Sequence, residues 1–232
     1  MMKGIPRVAT AAGLAGAVLF IVGSYIGLFV APAEKHMGDV QRMLYVHVPA
    51  AWNSLVCFCA AFVFAIASLW TGRSRWDNYT IGAVETGVML NVLLLGLGML
   101  WAKPTWGIWW TWGDVRLIFS FVMLLLFAGV LALRSFVDDP TRRATWTAIA
   151  TIVAWVDVPL VYFCVRWWRS LHQIQSTPDT VASSMALPMR INAFAVLFLS
   201  VWFIAARAAV ERRRRTAIDV AEPPILAMQE GT

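Results

Sequence analysis

His47, in Tyr45-Val46-His47-Val48-Pro49-Ala50-Ala51-Trp52, and His172, in Trp167-Trp168-Arg169-Ser170-Leu171-His172-Gln173, stand at the ends of long apolar runs. Between them in the chain lies Trp106-Gly107-Ile108-Trp109-Trp110-Thr111-Trp112, in which four of seven residues are indoles. Neutral imidazole is a common iron ligand, and two such rings on opposite sides of one plane are what a bis-histidine haem requires. Indoles concentrated in one loop offer a platform for a flat apolar ligand. Tryptophans also collect at head-group depth as a membrane belt, but belt residues are scattered around a protein, and these are consecutive. The residue types therefore point to a flat, metal-containing ligand such as haem, with His47 and His172 as candidate metal ligands.

Lys103 and Arg116 flank the tryptophan loop, and Arg166 and Arg169 flank the segment of His172. A ligand carrying two carboxylates would find cationic partners there, although arginine at a span end also pairs with lipid head groups. His36, in Glu34-Lys35-His36-Met37, has charged neighbours and no aromatic cradle, and reads as a surface residue. Glu85 and Asp157 fall inside apolar runs, where an ionisable group is costly and suggests function. Glu85 is placed to reach water, and Asp157 either to line the floor of the ligand site or to pair with an arginine. The three cysteines all lie within apolar runs and behave as small hydrophobes. There is no Cys-x-x-Cys-His, so covalent haem attachment to this chain is not expected.

These residues must be positioned by membrane helices. Of 232 residues, 60% are hydrophobic and 14% charged, and the mean hydropathy is +0.69, which marks an integral membrane protein. A helix needs about 20 apolar residues to cross a hydrocarbon layer of roughly 30 Å. Six runs qualify, at about 8–30, 50–70, 81–101, 117–133, 145–165 and 191–210, the fourth borrowing from Asp114-Val115-Arg116. The fold class is therefore all-α, a polytopic bundle of six transmembrane helices. Ala31-Pro32-Ala33 imitates a signal cleavage site, but the first run exceeds the roughly 15 residues of a signal core and reads as an uncleaved anchor.

Placing the N-terminus inside puts twelve Lys/Arg residues on the cytoplasmic side and seven on the other. By the positive-inside rule both termini are then cytoplasmic. Residues 1–215 form one transmembrane domain, and 216–232 read as a disordered cytoplasmic tail. Loops 31–49, 102–116 and 166–190 then share the outer face and hold all three histidines, so His47, the tryptophan loop and His172 can meet. The net charge of +6 comes from anchoring residues, the Arg212–Arg215 run facing anionic lipid. Nucleic acid binding is not indicated.

Three function classes remain: haem binding and delivery, electron transfer as a b-type cytochrome subunit, and haem transport across the bilayer. A transmembrane electron relay needs a second histidine pair toward the opposite face, which three outer histidines cannot supply. No phosphate-binding loop is present, so the chain is not an ATPase by itself. No catalytic constellation is found, and an enzyme is not expected.

At these residues the chain resembles the haem exporter protein C family of bacterial and mitochondrial cytochrome c maturation, from about Phe29 to Arg190. The resemblance rests on Ala31-Pro32-Ala33, on Arg42-Met43-Leu44-Tyr45-Val46-His47-Val48-Pro49-Ala50-Ala51, on the segment from Trp101 to Trp112, and on Trp167 to Gln173. It implies that His47 and His172 are axial ligands of haem b. It also implies that the stretch from Trp106 to Arg116, including Gly107, Trp109, Trp110, Trp112 and Asp114, is a tryptophan-rich haem-binding motif. The implied role is to hold haem on the periplasmic face of a bacterial inner membrane for capture by a periplasmic haem chaperone. A small single-span companion subunit and an ABC-type transporter complex are the other implied partners. Two departures stand out: Gly113 is inserted before Asp114-Val115-Arg116-Leu117, where it can re-aim Asp114, and Ala102 replaces a usual glycine.

Overall fold

A chain that must satisfy its backbone inside hydrocarbon has the α-helix as its local solution, and the computed structural model of this protein is helical throughout its spans. It describes residues 4–172 and 181–221. Helix α1 (Arg7–Tyr25) continues through a π-helical turn, Ile26–Val30, and a 3-10 turn at Asp39–Met43 leads into α2 (Leu44–Thr71). Helices α3 (Ser74–Trp106), α4 (Val115–Ser135), α5 (Pro140–Trp155), α6 (Asp157–Trp167) and α7 (Ser183–Ala221) follow. Six stretches are long and apolar enough to cross a membrane: Arg7–Val30, Asp39–Thr71, Ser74–Trp106, Val115–Ser135, Pro140–Trp167 and Ser184–Ala217.

All six expected runs lie inside these stretches, but the helices extend beyond them. Helix α2 begins before His47, so this histidine sits within a helix rather than in the loop preceding one. The fourth span starts at Val115 with the Asp114 side chain as its cap, accepting from the Arg116 and Leu117 N–H groups. The fifth is two helices. Pro159 has no N–H for the Trp155 carbonyl and its ring crowds that group, and the chain breaks at Val156, whose N–H bonds instead to Val153 O at 3.2 Å. Helix α7 continues past Thr216 to Ala221, so the first part of the expected tail is helical. Residues 222–232 of that tail, and Gln173, lie outside the described residues.

Helix α1 packs against α7, and α2 against α3, with α7 also touching α2 and α3. Glycines permit the first contact: a Cβ on Gly16 would lie 2.9 Å from both Ala195 O and Leu199 N, closer than two such helices could tolerate. The centre is aromatic. Phe58 of α2 stacks on Phe127 of α4 with ring centroids 3.7 Å apart, and Phe62 of α2 on Trp155 of α5 at 4.2 Å.

Polar groups inside the bundle are spent on fixing α2. Pro49 cannot donate to the Tyr45 carbonyl one turn back, and Asn192 Nδ2 of α7 donates to that oxygen at 2.8 Å. Asn53 Nδ2 in turn donates to Ala193 O at 3.1 Å. At the end of the bundle where α1 begins and α7 ends, Arg134 donates to both oxygens of Asp77 at 2.8 and 2.9 Å and to Glu211 at 3.1 Å. Arg207 pairs with Glu85 at 2.5 Å and Glu211 at 3.2 Å, and Arg215 also pairs with Asp77. Glu85 is thus an ion-pair partner within a network joining α3, α4 and α7.

Candidate functional site

At the opposite end, the first turns of α2, the last turns of α3, the start of α4 and the segment after α6 enclose a cavity of about 230 Å³. His47 enters it from α2 and His172 from the segment after α6; both line its wall, together with Gly98, Trp101 and Arg116. The histidines that stand far apart in sequence therefore share one cavity. His36 does not line it and is exposed, its backbone N–H donating to Glu34 Oε2 at 2.7 Å.

His47 is held by its helix. The carbonyl freed by Pro49 anchors this turn to α7 through Asn192, and Gly98 of α3 leaves the imidazole room. A Cβ at Gly98 would stand 3.1 Å from His47 Cε1, tighter than an ordinary contact. His47 Nδ1 is buried without a hydrogen-bond partner, an expensive condition for a polar atom unless something else satisfies it.

His172 is held by Asp114. Asp114 is only 1% exposed, and while its Oδ1 caps α4, its Oδ2 accepts from the Ser170 hydroxyl at 2.8 Å and the Leu171 N–H at 2.6 Å. The Ser170 hydroxyl accepts from the His172 backbone N–H at 3.0 Å. His172 Nδ1 lies 3.4 Å from Asp114 Oδ1, an electrostatic contact whose alignment falls short of a hydrogen bond. Burial alone would raise the Asp114 carboxyl. The His172 imidazole, the Leu171 N–H, the Ser170 hydroxyl and the Leu117 N–H outweigh it and hold the carboxyl well below the usual carboxylate range. Gly113 does not displace this group: its N–H closes a small turn onto Thr111 Oγ1 at 3.1 Å, and Asp114 still caps α4.

The tryptophan motif divides in two. Trp106 meets the His172 ring edge-on at 5.1 Å and Trp101 edge-on at 5.0 Å. Trp110 and Trp112 pack against each other and against Phe121 of α4. Trp109 is 50% exposed and Trp112 65%, and neither lines the cavity. Gly107 ends α3 with a φ of 77°, a conformation natural to glycine, its N–H donating to Lys103 O at 3.0 Å. Arg116 lines the cavity with Nη1 buried and unpaired. Asp157 is buried, does not line the cavity, and forms no ion pair among the described residues.

Sequence reasoning missed Gly98, Trp101 and Ser170 as parts of this site. Ser170, two residues before His172, matches the local hydroxyl-to-backbone pattern; Gly98 had no local signal, since its importance lies in a neighbouring helix.

The arrangement suits a flat metal complex bearing acidic groups: two imidazoles on one cavity, an arginine with a free buried donor, and apolar walls. Comparison with known proteins agrees with that chemistry. The family model described as Heme exporter protein C matches residues 2–221. The chain is 30% identical over 216 residues to Heme exporter protein C of Bradyrhizobium diazoefficiens, covering 90% of this chain and 81% of that protein. It is 33% identical over 205 residues to the Haemophilus influenzae protein of the same name, covering 86% and 82%. For the Escherichia coli protein of that name the figures are 32% over 190 residues, 81% and 76%. With the match spanning every described residue, this chain belongs to the Heme exporter protein C family and is a multi-pass membrane protein.

Proposed function

We propose that this protein holds haem b at one end of its bundle, between His47 and His172, and surrenders it to a soluble haem chaperone for cytochrome c maturation. The observation that carries the reading is the convergence of these two histidines on one cavity, with the Arg116 side chain beside them. His47 and His172 would hold the haem iron through their imidazoles, a ligand type that iron readily accepts. Arg116, buried and unpaired at Nη1, is the partner for a propionate. Trp106, packed edge-on against His172, restricts that ring. Asp114 and Ser170 hold the backbone that presents it.

Retention against micromolar free haem asks for about −8 kcal/mol, within reach of two Fe–N bonds and an apolar enclosure. Delivery asks that this hold yield to competing ligands. His172 sits on a loop outside the spans, so it is the ligand suited to let go first. Trp109 and Trp112 stand out from the cavity, where they suit a protein surface better than the haem face. In this reading the cavity opens to the periplasmic side of a bacterial inner membrane. The companions are the haem chaperone, a small single-span subunit and an ABC-type complex.

The rival readings lose ground. Of the three histidines, His47 and His172 line the cavity and His36 adjoins its lining residue Met37, leaving no second pair for an electron relay. A polar transport path draws no support from Glu85, which is paired with Arg207, or from Asn91, whose Nδ2 donates to Ser120 O at 3.2 Å.

The absorption spectrum of the purified protein tests the assignment. A low-spin haem spectrum in the wild type should weaken or turn high-spin in His47→Ala and in His172→Ala. Unaltered spectra in both variants would remove the axial pair, and two haems per chain would revive electron transfer.

A further inference from the structure

The end of the bundle where α1 begins holds a second pocket, of about 280 Å³, between the residues preceding α1, the first turns of α3 and the second half of α7. Arg75, Trp76, Asn78 and Tyr79 of α3 and Arg212 of α7 line it. Its charge is not neutralised. The nearby carboxylates Asp77, Glu85 and Glu211 are taken by Arg134, Arg207 and Arg215. Among the described residues neither Arg75 nor Arg212 has a carboxylate partner; Arg212 Nη2 donates to Gly4 O at 2.6 Å, and Arg75 lies 4.6 Å over the Trp76 ring.

Hydrogen-bonding capacity is unused there as well. Asn78 is 5% exposed, yet its Oδ1 has no partner, and the Trp76 Nε1 donor is likewise buried and unmatched. Helices α1 and α3 both begin beside the pocket without side-chain caps, so their free N–H groups add positive potential.

We propose that this pocket binds the headgroup of an anionic phospholipid, with Arg75, Arg212 and the Trp76 N–H taking the phosphodiester and Asn78 Oδ1 accepting from a headgroup hydroxyl. The setting favours a lipid over a soluble phosphate. Trp76 and Tyr79 are the amphipathic residues that settle at head-group depth, and the pocket lies where three apolar spans give way to arginine. Val8, in the first turn of α1, is 80% exposed, and Ala205, Ala208 and Ala209 give the pocket an apolar wall. A bound lipid would bridge α1, α3 and α7 where α7 leaves the membrane, so occupancy should stiffen that end of the bundle. The inference is independent of haem.

The test uses the full chain, delipidated in detergent, titrated with phosphatidylglycerol or with phosphatidylcholine of the same acyl chains while bound lipid is counted by native mass spectrometry. Wild type should prefer phosphatidylglycerol by roughly tenfold, the scale of charge-assisted hydrogen bonds. Arg75→Gln and Arg212→Gln should each lose most of that preference, whereas Arg142→Gln, on the exposed start of α5 and outside the pocket, should keep it. Arg75 is exposed, so its variant is expected to fold with an unchanged Tm in lipid-free detergent. Equal losses in all three variants would reduce the effect to general surface charge and overturn the proposal. Equal protection against unfolding by glycerol 3-phosphate and by phosphatidylglycerol would overturn the lipid assignment in favour of a soluble phosphate.

Discussion

Asp114 does two jobs with one carboxylate: it starts α4 and tethers the segment that presents His172. Asp114→Ala should lose about 1 kcal/mol from the cap alone, and its haem spectrum should show the loss of one axial ligand while His47 ligation survives. Because the folded carboxyl is held below its ordinary value, its stabilisation is fully present above the unfolded pKa of about 3.9 and drains away as pH falls toward the folded value. Acid titration of haem-free protein, read by intrinsic tryptophan fluorescence with Trp106→Phe as the control, should therefore release the loop well below pH ~4 in wild type. Asp114→Asn should lack that step, and identical titrations would sink the linkage. Arg116→Gln tests the propionate partner: haem affinity should fall roughly tenfold or more with the low-spin spectrum preserved. A change of spin state would instead make Arg116 a support for the histidines.

At the scale of elements, the position of His47 depends on a proline and an asparagine in different helices. Asn192→Ala strands the Tyr45 carbonyl and should lower stability by about 1–3 kcal/mol. Pro49→Ala restores an N–H one turn along, so the double variant should recover much of the lost Tm; additive losses would show that Asn192 acts through something other than that carbonyl. The α1–α7 contact is equally specific. Gly16→Val would push a branched side chain against the α7 backbone, and α1 should detach, seen as faster proteolysis between α1 and α2 with the spectrum of bound haem retained.

Across the whole molecule, the two ends of the bundle are built on different physics. One end gathers two imidazoles and an arginine around an apolar-walled cavity, and the other buries carboxylates against arginines beside a pocket whose own polar groups stay unpaired. Arg134→Met leaves Asp77 and Glu211 short of a partner and should lower stability by roughly 3–5 kcal/mol, measured as Tm in detergent. If haem binding at the far end persists in the folded fraction, the two ends are energetically separate.

The apolar runs and their spacing were enough to determine six spans, the side of the bundle on which His47, the tryptophan motif and His172 gather, and Asp114 near the start of the fourth span. These are properties of consecutive residues, because a chain in hydrocarbon must satisfy its backbone locally. The break at Val156 was signalled by Pro159, yet a single proline does not say whether a helix bends or divides. Other features depended on what each side chain met across the bundle. The motif's division, with Trp106 on His172 and Trp110 on Phe121, the clearance that Gly98 gives His47, and the pairing of Glu85, Asp77 and Glu211 with arginines far along the chain were decided only by tertiary structure. Contacts between helices depend on rotation and depth, which one helix's sequence leaves free until its neighbours close around it.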